Sequence, residues 1–314
     1  MGMNQDNSSF KLPSKTVLIA FILAIMLGGG NAVAIRFAVR ELAPFWGAAL
    51  RFGGGAIILW FVAAIRRSKL PPRSVLPGLL VYGFLSFGAA WAFIFWGLRT
   101  VEAGMAQVLM ALSPLLTLVF VVLHRQESFH WRGLAGGLMA IAGVGWAFFE
   151  HPQGSTAVLP MLAIVAGAAC LSESIVLLKR LPPMDPIMIN AAGMSTGAAS
   201  LLILSRIAGE AWIVPSLAAT RFAILYLVIV GSVIFFGLLF FVVRRWTASA
   251  SSYGLVLMPF ETVALSAWLT GEKLNSALLL GGALVLLGVW IGALARPARS
   301  RRSEAAIAVG GEAD

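Results

Sequence analysis

The chain has 314 residues, 60% of them hydrophobic and only 11% charged, with a net charge of +10 and a mean hydropathy of +0.92. A soluble domain is ordinarily about 45–50% apolar and about 25% charged, so this composition excludes a soluble protein and indicates an integral membrane protein. The basic excess does not point to nucleic acid: Lys and Arg fall in short clusters between apolar runs, and no nucleic-acid-binding motif is present.

Ten apolar runs approach the roughly 20 residues that a spanning helix needs. They cover 16–36, 45–65, 75–96, 102–124, 132–149, 159–178, 187–208, 221–243, 248–270 and 276–295. The connections are short, and "KLPPRS" and "RLPPMDP" carry the prolines that end one helix and open the next. Residues 1–15 form a polar N-terminal segment, and 296–314 form an Arg-, Ala- and Gly-rich tail expected to be disordered. The first run follows Lys11 and Lys15 and contains "AVA" at 32–34, as a signal peptide would. Its apolar stretch is too long for that, so it is read as a retained span.

With the N-terminus inside, one side holds Arg66, Arg67, Lys69, Arg73, Arg125, Arg132, Lys179, Arg180, Arg244, Arg245 and the basic termini. The other holds Arg36, Arg40, Arg99, Arg206, Arg221 and Lys273. The richer side is cytoplasmic by the positive-inside rule, which places both termini in the cytoplasm and the chain in the inner membrane. Cys170 is the only cysteine, so no internal disulfide can form. His124, His130 and His151 lack metal-ligand spacing, so neither a metal nor a cofactor is expected.

The chain repeats itself. A shift of 145 residues places Pro114 on Pro259, Glu127 on Glu272, Thr117 on Thr262, and Gly136, Gly137 and Gly143 on Gly281, Gly282 and Gly288. A shift of 142 places Pro44 on Pro186. The halves are therefore 16–149 and 150–295, each with five spans. An odd number of spans puts them in opposite orientations. The expected fold is all-α, with ten transmembrane helices in two inverted five-helix repeats, an arrangement that secondary transporters use around a midplane substrate site. Pro114 and Pro259 each remove one helix hydrogen bond, so both are candidate hinges, with a packing kink as the alternative. Glu127 and Glu272 end their helices, where the dipole disfavours a carboxylate. They are read as structural glutamates facing the amides of the next helix.

These segments resemble a known family. "GLRTVEAGMAQVLMALSPLLTLVFVVLHRQESFHWRGLAGGLMAIAGV" and "ASASSYGLVLMPFETVALSAWLTGEKLNSALLLGGALVLLGV" resemble the paired core signatures of EamA-type members of the drug/metabolite transporter superfamily. "GGGNAVAIRFAVRELAPFWGAALRF", with Arg51, is similar to the family's first two helices. The departures are "HRQE" at 124–127 and the "GGGN" start. The resemblance implies ten helices around a central cavity and transport of small metabolites, often amino acids.

Polar residues inside spans mark candidate sites, because a central charge costs about 2.5–3.5 kcal/mol on insertion scales. Glu261 lies two residues past Pro259, where it could meet a substrate ammonium, stay protonated or pair with Arg51. Glu173 either faces a cavity or pairs near Lys179; Asn31 aligns with it at the 142 shift. Arg51 is read as a structural pair or a snorkelling side chain, with substrate binding as the alternative, and Asn190 is a further in-span polar group. Gln107 either faces the cavity or bonds a neighbouring helix. Tyr82, Trp91, Phe95 and Phe236 belong to aromatic clusters that could line a pathway for bulky substrates or simply pack. Ser252 and Tyr253, beside "SASS", either pack or meet a substrate carboxylate. "GMSTG" at 193–197 is a GxxxG packing signal.

The chain is thus expected to be a secondary exporter of small molecules, amino acids first, rather than an enzyme or a channel. No nucleophile–base pair or metal cluster supports catalysis, and no continuous polar ring supports a pore. Its partners are a small-molecule substrate and the lipid bilayer, with no nucleic acid.

Overall fold

The computed structural model describes residues 14–125, 131–149, 158–182, 184–245, 248–271 and 276–291. Every regular element among them is helical. The first half contains α1 (Lys15–Ala38), α2 (Pro44–Ile65), α3 (Arg73–Gly97), α4 (Ala103–Leu123) and α5 (Trp131–Phe149). The second contains α6 (Val158–Leu178), α7 (Pro186–Ile207), α8 (Ala218–Val228 continuing to Phe235–Arg245), α9 (Ala248–Thr270) and α10 (Ser276–Val289). Helices α1, α2, α3, α4, α6 and α7, and the Ala218–Leu238 stretch of α8, are each long and apolar enough to cross a membrane. Glu127 and Glu272 lie outside the described residues.

Local chemistry sets the helix starts. Ser14 accepts the Val17 N–H at 3.4 Å ahead of α1. Pro44 and Pro186, paired by the 142 shift, open α2 and α7 at the same position, where the missing N–H has no helical partner to lose. Asp185 caps α7 by accepting the Ile187 N–H at 3.1 Å.

The two repeat prolines take different local forms. Helix α4 breaks at 111–112 and restarts at Ser113 with Pro114 in its first turn. The Met110 carbonyl, which an ordinary residue at 114 would bond, accepts the Ser113 hydroxyl at 2.7 Å instead. Helix α9 runs unbroken through Pro259. Their threonines differ too. Thr117 bonds back to the Ser113 carbonyl at 2.8 Å, whereas Thr262 donates across to the Gly29 carbonyl of α1 at 2.9 Å.

Helices α3 and α8 each contain a π turn, Phe84–Ala89 and Ile229–Ile234, offset by 145 residues at both ends. Apolar periodicity gave no sign of either, because a π turn changes the hydrogen-bond ladder without changing hydropathy. The repeat is therefore present in backbone geometry as well as in sequence.

The halves interlock. α2 packs along α7, α1 against α8 and α9, and the π turn of α3 against α7. Phe87 in that turn is fully buried and lies on Gly193 and Gly197 of α7. The outer pair α5 and α10 meets through repeat-related glycines. A Cβ on Gly143 would stand 2.6 Å from the Gly281 carbonyl oxygen, and one on Gly288 would stand 2.5 Å from that of Gly136. Glycine at these positions lets two backbones touch.

A candidate substrate site between the halves

Arg51 is the centre of the polar interior. It comes from α2 and is 0% exposed. Its Nη2 donates to Asn31 Oδ1 at 3.2 Å and to the Gly231 carbonyl at 3.1 Å, and its Nε donates to Ser232 Oγ at 3.3 Å. Its guanidinium lies 4.1 Å from the Trp91 ring centroid and 5.0 Å from that of Phe52. One side chain from the first half is therefore held by α1 and α3 and by the π turn of α8. Arg51 neither snorkels nor pairs with Glu261; among the described residues no carboxylate forms an ion pair with it.

The "GGGN" of α1 supplies the opposite wall. A Cβ at Gly29 would overlap the Glu261 carboxylate, and one at Gly30 would overlap the Tyr226 hydroxyl. Tyr226 donates to the Leu27 carbonyl at 2.9 Å and lies within electrostatic reach of both Arg51 and Glu261. Glu261 is half-buried, and its Oε2 has no hydrogen-bond partner. The three glycines let α8 and α9 reach the α1 backbone.

A cavity of about 710 Å³ leads to this cluster. Its mouth carries Arg66 and Asp185, its walls Asn190, Phe236 and Phe241, and it reaches Ser232 beside Arg51. A larger space, about 940 Å³, lies between α3, α6 and α7, but its lining is apolar and includes the exposed Phe93, Ile203 and Ile207. That groove has the character of a surface facing acyl chains. The smaller cavity holds the polar chemistry.

The sequence candidates are distributed as follows. Asn31, Trp91 and Glu261 belong to the polar cluster, and Phe236 and Asn190 line the cavity. Tyr82 packs edge-on against Phe87, which also meets Phe52 and Phe236. Phe95 is fully buried beside Gly47, away from this cavity's lining. Gln107 is half-buried in α4. Glu173 accepts from His124 Nε2 at 2.7 Å, while Arg180 donates to His124 Nδ1 at 3.0 Å. That pairing ties the end of α4 to α6 and replaces the expected Lys179 contact. The side chains of Ser252 and Tyr253 lie outside the described set.

Sequence reasoning passed over Tyr226 and Ser232, took Thr262 only as a repeat position, and put a structural role for Arg51 ahead of substrate binding. A signal was available. Arg51 stands where its repeat partner is Gly193, Ser232 where it is Phe87, and Glu261 where it is Leu116. These three members of the polar cluster break the repeat.

The end of the bundle opposite the cavity mouth is tied by reciprocal caps. Glu210, in the α7–α8 loop, accepts the Phe45 and Trp46 N–H groups of the first turn of α2 at 3.1 and 2.8 Å. Glu41, in the α1–α2 loop, accepts the Ser216 and Leu217 N–H groups before α8 at 2.5 and 3.2 Å. Each carboxylate sits at the positive end of the other half's helix. Trp46 stacks on Trp212, with centroids 5.2 Å apart, and its Nε1 donates to the Ile213 carbonyl at 2.8 Å.

The Ser216 hydroxyl, and after it the Ser216 N–H, hold the Glu41 carboxyl down at about 2 rather than 4.5. A lowered folded-state value means that its contribution is complete above 4.5 and is lost as pH falls from there through about 2. The stability difference between wild type and Glu41→Gln is therefore expected to stay constant from about pH 7 to 5 and to shrink at lower pH. Thermal melts at each pH test this; a difference that vanishes by about pH 5 would contradict it.

Apolar helices, two interlocked repeats and a polar cluster reached by a cavity define a membrane transporter. The chain belongs to the EamA-like transporter family, whose sequence profile matches residues 15–149 and again 158–293. It is 28% identical over 263 residues to the uncharacterized inner membrane transporter YedA of Escherichia coli K12, covering 82% of this chain and 83% of that one. It is 26% identical to a probable amino-acid metabolite efflux pump of the same organism, covering 86% of this chain and 92% of that one. A protein of known crystal structure matches with a TM-score of 0.62 at 22% identity, over 92% of this chain and 99% of that one, a likeness in fold.

Proposed function

We propose that this chain is a secondary transporter that exports small metabolites, amino acids first and bulky or aromatic ones in particular, across the inner membrane by alternating access. On this reading α5, α9 and α10 complete ten spans in two inverted halves, with both termini cytoplasmic. The observation that carries it is the cavity and its placement. It starts at Arg66 and Asp185 on the basic, cytoplasmic end and stops at the polar cluster, while Glu41 and Glu210 tie the other end. A carrier accessible from one side at a time is built this way. The break at Pro114 and the proline inside α9 are its hinges. Phe236 and the Phe52–Phe87–Trp91 cluster give it apolar, stackable walls. The relative described as a probable amino-acid metabolite efflux pump supports the cargo class.

Proteoliposomes loaded with a labelled amino-acid panel, with and without a proton gradient, test this. Saturable loss of a subset, favouring bulky side chains, is the expected result. Loss of nucleosides, organic cations or drugs instead would change the cargo and keep the carrier. Flux that rises linearly to high concentration would indicate a passive channel and overturn the proposal.

A further inference from the structure

We infer that Arg51 is the anchor for an anionic group of the transported molecule, a carboxylate, received at the Ser232 end of the cavity. This rests on the export reading above and narrows its substrate class.

Arg51 is fully buried, and its Nη1 has no hydrogen-bond partner. Its other donors are met by neutral acceptors only: an amide oxygen, a backbone carbonyl and a hydroxyl. Trp91 and Phe52 add cation–π attraction. Such contacts orient a guanidinium, but none of them neutralises it, and a buried cation without a counter-charge is costly. A structural arginine in this position would be expected to carry a carboxylate from its own chain. Here the surroundings leave the two N–H groups of Nη1 and one full charge unmet.

The cavity supplies the route. Ser232 both lines it and touches Arg51. The Ser232 hydroxyl is already oriented, since it donates to the Leu227 carbonyl at 2.8 Å. Arg51 itself is not in the cavity lining, so an anion arriving at Ser232 stands one side chain away from the guanidinium. Leu59, Val62, Val233, Phe236 and Phe241 line the approach, which suits an apolar body behind the charged head. One open NH2 group and one cation fit a monocarboxylate better than a phosphate dianion, whose double charge and three oxygens call for more.

The test uses three molecules of one shape: 3-phenylpropionate, 3-phenylpropionamide and 3-phenylpropylamine. Each is titrated against the purified full-length protein while thermal unfolding is followed. The acid alone is expected to raise the melting temperature. Arg51→Gln is expected to weaken the acid about 30-fold or more, as when one partner of a buried charge pair is lost. Arg51→Lys should keep part of the effect. Should Arg51→Gln not fold, Arg51→Lys and Ser232→Ala carry the comparison, each with a weakened response to the acid. Equal stabilisation by the amide or the amine would overturn the inference. So would a full acid response in the variants, or no response to the acid in the wild type. Acid-specific binding without efflux of any amino acid would keep the anion site and remove the export reading. Efflux without any preference for the carboxylate would do the reverse.

Discussion

Replacing Gly197 with valine is expected to destabilise the protein by about 1–3 kcal/mol or more, the cost of overpacking a filled interior. A Cβ there would stand 2.7 Å from the backbone carbon of Phe87 and 3.0 Å from the Gly88 nitrogen. A side-chain neighbour could rotate away, but these are backbone atoms of the α3 π turn, packed on α7 between the two halves. Phe87 is also the hub that touches Phe52, Tyr82 and Phe236, so displacing it would disturb the wall of the candidate site. Gly137→Ala is the matched control. Nothing lies within 4 Å of the added methyl, and removing a helical glycine gains about 0.5–1 kcal/mol. Melting of the two purified variants decides the matter. Equal melting temperatures would mean that the α3–α7 contact yields more readily than its geometry implies.

Glu210→Ala is expected to open the tied end of the bundle. The carboxylate accepts two N–H groups of α2 and the Ser205 hydroxyl, the last at 2.7 Å, and Ser205 in turn accepts the Trp212 indole N–H at 3.1 Å. Losing a charged acceptor costs about 1.5–3 kcal/mol per bond at most, enough to shift the balance of open and closed forms about tenfold. Ala49 of α2 is buried one turn past this cap. In a Cys170→Ser background, a cysteine at Ala49 should react several-fold faster with a membrane-impermeant maleimide once Glu210 is alanine. Glu41→Ala should act in the same direction, because it removes the reciprocal cap. Unchanged labelling in both would show that the caps stabilise their helices without controlling access.

The two expected effects differ in kind. The first concerns whether the halves stay packed, and the second concerns which end of the packed bundle admits water. A carrier needs both properties, and the two predictions assign them to different residues: buried glycines for packing and loop glutamates for closure.

Much of this molecule could be read from its sequence. Composition defined a membrane protein, apolar runs located the helices to within a few residues, and the 145-residue shift exposed the repeat. These are local or periodic properties, and any fold built on the chain inherits them. The repeat also predicted that Pro114 and Pro259 would behave alike. They do not, because Ser113 satisfies the freed carbonyl at one break, and the other proline is absorbed into a continuous helix that Thr262 joins to α1.

What only the tertiary structure decided is where charge goes in the interior. In sequence, Arg51 is a lone cation in an apolar run, and its partners lie on three other helices, some 180 positions away for Gly231 and Ser232. The π turn that presents the Gly231 carbonyl has no hydropathy signature, and the glycines of α1 gain meaning only once Tyr226 and Glu261 lie against them. The sequence by itself determined which segments are apolar helices and that they come in two related sets, because hydrophobic burial acts residue by residue. It left the site undetermined, because a buried charge is stabilised by groups brought together only when the helices pack.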